Sequence, residues 1–221
     1  FSEKNEADIT TTSTRYIVPK LYSSFEINSL LLSNLLSQAP LESEVNVHQS
    51  NLVINIPFPN NEVHAFRFVE SPVMSSTLSA RHQNIKTYLG ESLKGNMTVR
   101  FDYSPDYGFH AMIMGLTDVV FIDPYSFQNS KYIIAYFKKD YINDEQQEFK
   151  EEEPIQSSDY LEYLNYKEAN PISLDKISSG EELRTYRIAI ACTQQYSNFH
   201  GGTTESTLAG MVTTLNRVNE V

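Results

Sequence analysis

The stretch Asn51-Leu52-Val53-Ile54-Asn55-Ile56-Pro57-Phe58-Pro59-Asn60-Asn61-Glu62-Val63-His64-Ala65-Phe66-Arg67-Phe68-Val69-Glu70 decides the fold class. Leu52, Ile54, Ile56 and Phe58 recur at every second position, and after Pro59-Asn60-Asn61 the same period resumes at Phe66 and Phe68. Successive side chains of an extended chain point to opposite faces, so each run has one apolar side, and a Pro/Asn cluster between two such runs is a hairpin turn. The pattern continues at Ile85–Gly90, Met97–Tyr103, Phe109–Met114, Val119–Ile122 and Lys131–Phe137. Between these runs lie Ser104-Pro105-Asp106-Tyr107-Gly108, Gly115–Asp118 and Asp123-Pro124-Tyr125. Short strands joined by tight turns predict an antiparallel meander.

Upstream, the period is different. Ser23 and Glu26 have the spacing of a capping box, and Ile27, Leu30, Leu31 and Leu35 supply a helical stripe that stops at Ala39-Pro40. Arg15–Pro19 reads as a short strand, and Ser76–His82 as a helical turn between strands. Residues 1–14 are polar, threonine-rich and without apolar period, which predicts a flexible lead. The expected fold class is α+β: a mainly antiparallel β domain over residues 15–140 with one N-terminal helix.

Charge separates the next segment. Of a net charge of −11, ten units arise between Asp140 and Glu182, where thirteen acidic residues face only Lys150, Lys167 and Lys176. With little apolar periodicity, residues 141–182 read as a solvated, protease-accessible linker. Glu151-Glu152-Glu153-Pro154 lacks the alternating oxygen ligands of a calcium loop. Order is expected again in residues 183–221. Tyr186–Cys192 alternates Ile188 and Ile190 with alanines as a strand does. After Gly201-Gly202, Thr203 or Thr204 opens a helix bearing Leu208, Met211, Val212, Leu215 and Val218. This is the shape of an opening βα unit, one with apolar surface to offer a neighbouring domain or a second copy of the chain.

Bulk properties narrow the class. The chain has 221 residues and 40% hydrophobic content, enough for a sizeable core. Its acidity argues against nucleic acid or an anionic membrane surface as partner. It contains no run of eighteen apolar residues. Cys192 is the single cysteine, so no intrachain disulfide is available and packing must carry the fold. The polar start at Phe1 fits a mature terminus left after signal-peptide removal.

Several runs resemble a known family. Leu183-Arg184-Thr185-Tyr186-Arg187-Ile188-Ala189-Ile190-Ala191-Cys192-Thr193, Phe199-His200-Gly201-Gly202-Thr203 and Met211-Val212-Thr213-Thr214-Leu215-Asn216-Arg217-Val218-Asn219 resemble the start of the catalytic domain of bacterial reprolysin-like zinc metallopeptidases, which are metzincins. Phe66-Arg67-Phe68-Val69-Glu70-Ser71-Pro72, Val99-Arg100-Phe101-Asp102, Gly108-Phe109-His110-Ala111-Met112-Ile113 and Ile122-Asp123-Pro124-Tyr125-Ser126 resemble the propeptide region of the same precursors. The resemblance implies a propeptide, that is, a folding aid and latency inhibitor, followed by the first strand and helix of a peptidase domain. It implies secretion or a periplasmic or extracellular location. The partner would be the chain's own catalytic domain, and zinc would serve the full precursor only. Self-association through the C-terminal unit is a further expectation.

The chemistry of that family needs His-Glu-x-x-His on a helix, because two histidines one turn apart hold Zn²⁺ while the glutamate activates its water. His48, His64, His82, His110 and His200 are never four residues apart, so no catalytic, cofactor or metal residue is expected in this chain. Latency by direct ligation would draw on Asp102, Asp106 or Asp123, carboxylates near turns, although each also reads as an ordinary turn residue. Cys192 as a switch thiolate is weighed against a small buried side chain, and His64 and His110 against plain strand positions. Lys150, Lys167, Lys176 and Arg184 are candidate processing sites for a trypsin-like protease. The rival reading is a free-standing secreted β-rich module binding a glycan or protein, suggested by 14 Tyr and 12 Phe but weakened by the absence of Trp.

Overall fold

The computed structural model describes residues 1–11, 13–115, 117–127, 129–141 and 187–221. Nine strands among them form one sheet: β1 (Ser2–Glu3), β2 (Ser23–Glu26), β3 (Val53–Pro57), β4 (Val63–Glu70), β5 (Lys86–Ser92), β6 (Thr98–Ser104), β7 (Gly108–Met114), β8 (Val120–Pro124) and β9 (Tyr132–Phe137). Their order is β1-β2-β9-β8-β7-β6-β5-β4-β3, antiparallel throughout. From β3 to β9 the sheet is the expected meander. The hairpin read first pairs Val53 with Arg67 and Pro57 with Val63. Four helices accompany it: α1 (Ser29–Leu36), α2 (Ser76–Arg81), α3 (Gln194–Phe199) and α4 (Thr204–Val218). The fold class is α+β.

The inner face of the curled sheet carries the larger of its apolar clusters. Ile54, Ile56, Phe66, Phe68, Tyr88, Val99, Phe101, Phe109, Ile113, Ile122 and Ile133 form one buried core, joined by Phe25 of β2 and by Leu32 and Leu36 of α1. At the two ends, Ser23 Oγ donates to the Pro59 carbonyl at 2.6 Å and Asn61 Nδ2 to Glu3 Oε1 at 2.8 Å, tying the first strands to the β3–β4 turn. Joining the ends of a sheet in this way protects edges that would otherwise seek other chains.

Strand alternation sends the remaining side chains to the outer face, which has two covers. Over β9 and β8, Tyr132, Ile134, Tyr136 and Phe121 pack with Ile9, Ile17 and Tyr22 of the N-terminal segment. Over β5 to β7, α4 lies against the sheet, with Ala209 and Val212 beside Ile85. Phe1–Ile142 and Ile190–Val221 cluster as one unit.

Several local expectations are overturned. Ser23 and Glu26 do not cap a helix but belong to β2. The cap of α1 is Asn28, whose side chain accepts from Leu31 N at 3.0 Å. Leu30 and Leu31 are consequently exposed, and Leu32 and Leu36 take the buried positions. The lead contributes the edge strand β1 and a turn of 3₁₀ helix at Glu6–Asp8. Arg15–Pro19 is irregular. The strand expected over Tyr186–Cys192 is not formed in its described part, residues 187–192, where Ile188 and Ile190 are 70% and 45% exposed. A strand exists through its ladder, and alternation alone supplies no partner. Cys192 is therefore exposed rather than buried. The truncated βα unit of the expected fold is thus represented by its helix. The expected linker with Lys150, Lys167 and Lys176, together with Arg184, lies outside the described residues.

Candidate functional site

The best-defined polar cluster lies where α4 meets the outer face of β6, β7 and β8. Asp102 and His110 are direct cross-strand partners of the β6–β7 hairpin, and Asp123 sits near the end of β8. All three belong to the opposite parity from the core residues Phe101, Ala111 and Ile122, so all three look outward. Each is nonetheless buried, because α4 covers them.

The helix answers with a matching row. Thr213 Oγ1 donates to Asp102 Oδ2 at 2.7 Å, Asn216 Nδ2 to the Phe101 carbonyl at 3.0 Å, and Arg217 Nη2 to Asp123 Oδ1 at 2.7 Å and the Ile122 carbonyl at 3.2 Å. Tyr136 of β9 completes Asp123 by donating to Oδ2 at 2.8 Å. Burial pushes the Tyr136 hydroxyl far above its usual range, with the Asp123 charge adding to it, so it stays a donor. Burial works against the Arg217 charge, but Asp123 and Tyr136 outweigh it and hold the guanidinium firmly protonated. A charged group so placed is stable only when paired and hydrogen-bonded, and here it is both.

The α4 face that makes these contacts is not the one its apolar pattern suggests. Buried positions are Ser206, Thr207, Ala209, Gly210, Val212, Thr213 and Asn216, whereas Leu208, Met211 and Leu215 are only partly covered and Val218 is 62% exposed. Small side chains let the helix approach a polar sheet face closely. At Gly210 an added Cβ would stand 2.6 Å from His200 Nδ1.

His200 ends α3 and lies 8% exposed between Gly210 and Tyr107. Tyr107 projects from the β6–β7 turn, where Gly108 has φ +96° and a Cβ would meet Pro124 at 2.8 Å, so the turn requires glycine. The Tyr107 hydroxyl and His200 Nδ1 are 2.6 Å apart. Burial raises the Tyr107 hydroxyl well beyond its ordinary range and lowers the His200 imidazole, with His110 adding to the latter. The un-ionised hydroxyl and the neutral imidazole share one hydrogen bond, in which either Tyr107 or Nδ1 is the donor according to the tautomer. The Tyr107 ring stacks on His110 with 4.7 Å between centroids. His110 Nδ1 is 3.3 Å from Asp102 Oδ2, without hydrogen-bond alignment. Next to this group a cavity of about 220 Å³ opens, rimmed by Tyr16, Phe127 and Phe199.

Of the three candidate latency carboxylates, the fold brings Asp102 and Asp123 under the same helix and leaves Asp106 exposed in the turn. Neither buried carboxylate is free, because Thr213, Arg217 and Tyr136 already bond them. His64 lies apart, on β4, 3.3 Å from Glu62. Among the described residues no three His, Cys, Asp or Glu side chains converge as a metal-ligand set. Among the described residues Thr213 is paired with a carboxylate and Tyr107 with His200. Tyr107, Tyr136, His200, Thr213, Asn216 and Arg217 had no functional reading in the sequence. The available signal was the row of small residues Ser206, Ala209, Gly210 and Thr213 at helical spacing. Comparison with protein families, curated proteins and solved structures returns no match for this chain.

Proposed function

We propose that this chain is the propeptide region of a secreted zinc metallopeptidase precursor, whose outer sheet face grips the first helix of the peptidase domain as a folding aid and latency device. One observation carries the reading. Thr213, Asn216 and Arg217, all within the run Met211–Asn219 that resembles the start of the peptidase domain, are the residues that bond Asp102, the Phe101 carbonyl and Asp123. The bonded sheet residues fall in the runs that resemble the propeptide. Tethering adds to the grip, since a linked partner acts at roughly millimolar effective concentration until the tether is cut. On this reading the chain has no peptidase chemistry of its own, and zinc belongs to the remainder of the precursor. Self-association would use the other side of α4, the partly covered stripe of Leu208, Met211 and Leu215.

The test uses the precursor encoded by the gene, with Asp123→Asn and Thr213→Val introduced in cis. The reading expects a lower yield of active peptidase on refolding, and casein cleavage before processing. Unchanged yield and unchanged latency in both variants, or a reading frame without His-Glu-x-x-His, would overturn it. The alternative, a free-standing secreted module binding a glycan or protein, is favoured by the aromatic rim of the cavity beside His200. It predicts ligand-induced stabilisation of this chain that Phe199→Ala abolishes.

A further inference from the structure

We propose that the docking of α3 and α4 on the sheet is switched by pH through His200, the neutral imidazole closing the contact and its protonation opening it. The inference rests on reading the outer sheet face as the surface that grips α4, and adds how that grip is released.

The geometry leaves no comfortable place for a charge on His200. Its Nδ1 is already engaged with the Tyr107 hydroxyl at 2.6 Å. The ring is wedged against the Gly210 backbone on one side and Tyr196 on the other, at 4.2 Å between ring centroids. The titratable and charged groups around it come from every element packed there: Tyr107 from the β6–β7 turn, His110 from β7, Asp123 from β8, Tyr196 from α3, Arg217 from α4 and Tyr16 from the N-terminal segment. The one carboxylate among the described residues there, Asp123, is committed to Arg217 at 2.7 Å and Tyr136 at 2.8 Å. Asp102, beyond His110, is committed to Thr213 at 2.7 Å. Among the described residues, a proton on His200 would therefore face His110 and Arg217 without a free counter-charge. When α3 and α4 lift from the sheet, the imidazole regains water and charges readily.

The sign follows from burial, which lowers the docked imidazole below its ordinary value, with His110 adding to the effect. The undocked state binds the extra proton, so docking is complete above the ordinary histidine range near pH 6.5 and weakens as pH falls below it, by up to about tenfold per pH unit.

Hydrogen exchange of the α4 amides in the full chain, at about pH 7.5 and about pH 5.5 and corrected for intrinsic rates, tests this. The expected result is a loss of protection at the lower pH in the wild-type chain, of up to about tenfold. His200→Gln, whose neutral amide takes up no proton in this pH range, should stay protected and show no pH dependence. Unchanged wild-type protection, or an undiminished fall in His200→Gln, overturns the proposal. Should His200→Gln fail to dock, the ring resonances of wild-type His200 decide: their titration must coincide with the loss of α4 protection, and coincidence with His110 instead overturns the proposal. These readouts follow the helix alone. A chain that undocks in acid yet confers no latency on the precursor would keep this inference and sink the proposed function.

Discussion

Arg217 on α4 and Asp123 on β8 meet at 2.7 Å across the helix–sheet contact, 94 residues apart in the chain. The two resolve each other's burial: Asp123 has 4% of its side chain exposed and Arg217 24%. Asp123→Asn keeps the shape and removes the charge, leaving the guanidinium without its counter-ion. Breaking one partner of a buried pair costs about 3 kcal/mol. Thermal or denaturant unfolding should show that loss, and Asp123→Asn with Arg217→Leu together should recover part of it. Equal stability of wild type and Asp123→Asn would mean that the pair does not hold the helix.

Thr213 donates to a carboxylate that has no other aligned donor among the described residues. Thr213→Val is isosteric and should cost about 2 kcal/mol, the range for hydrogen bonds to charged groups. Thr213→Ser keeps the hydroxyl and should lose less than half as much. Equal effects of the two substitutions would assign the contribution to the methyl group instead.

Val212 and Leu215 separate the two faces of α4. Val212 is 2% exposed against Ile85, and Leu215 lies on the partly covered side. Val212→Ala should lower stability by roughly 2 kcal/mol through a cavity. Leu215→Glu should stay within about 1 kcal/mol, as surface changes do. If Leu215→Glu is the more damaging, the helix docks by its apolar stripe. Reduced self-association of Leu215→Glu in sedimentation would show that this stripe meets a second copy.

Glu6 anchors the N-terminal cover, accepting from Tyr22 at 2.6 Å, Tyr125 at 2.7 Å and Arg15 at 2.8 Å. The Tyr22 and Tyr125 hydrogen bonds, with Arg15 beside them, hold its carboxyl below the usual range. For a depressed carboxylate the stabilisation is present above the ordinary glutamate value and fades as pH falls through the folded one. Hydrogen exchange of residues 2–11 should therefore quicken below about pH 4. Glu6→Gln should be looser at neutral pH and insensitive to acid. An acid response that persists in Glu6→Gln would place its origin elsewhere.

Much of the sheet was legible in the sequence because a strand records its own burial. Leu52 to Phe58, Phe66 and Phe68, and Phe109 to Ile113 alternate every second residue, and a turn chemistry such as Pro59-Asn60-Asn61 is a local property. The antiparallel meander from β3 to β9 follows from those signals alone. The cap of α1 was less legible, since Ser23 satisfies the capping spacing but competes with pairing to Ala135 of β9, a long-range contact that sequence spacing cannot weigh. The strand expected around Ile188 and Ile190 failed for the converse reason, because alternation was present and a ladder was not. Tertiary structure alone decided the site. Asp102, His110 and Asp123 carry outward parity in the sequence, but only the docking of α4 turns outward into buried and pairs them with Thr213 and Arg217. That helix advertises the face of Leu208, Met211 and Leu215, yet it seats the face of Ala209, Gly210 and Thr213. A polar sheet surface rewards close approach and matched hydrogen bonds over apolar area, and neither quantity exists until two distant segments meet.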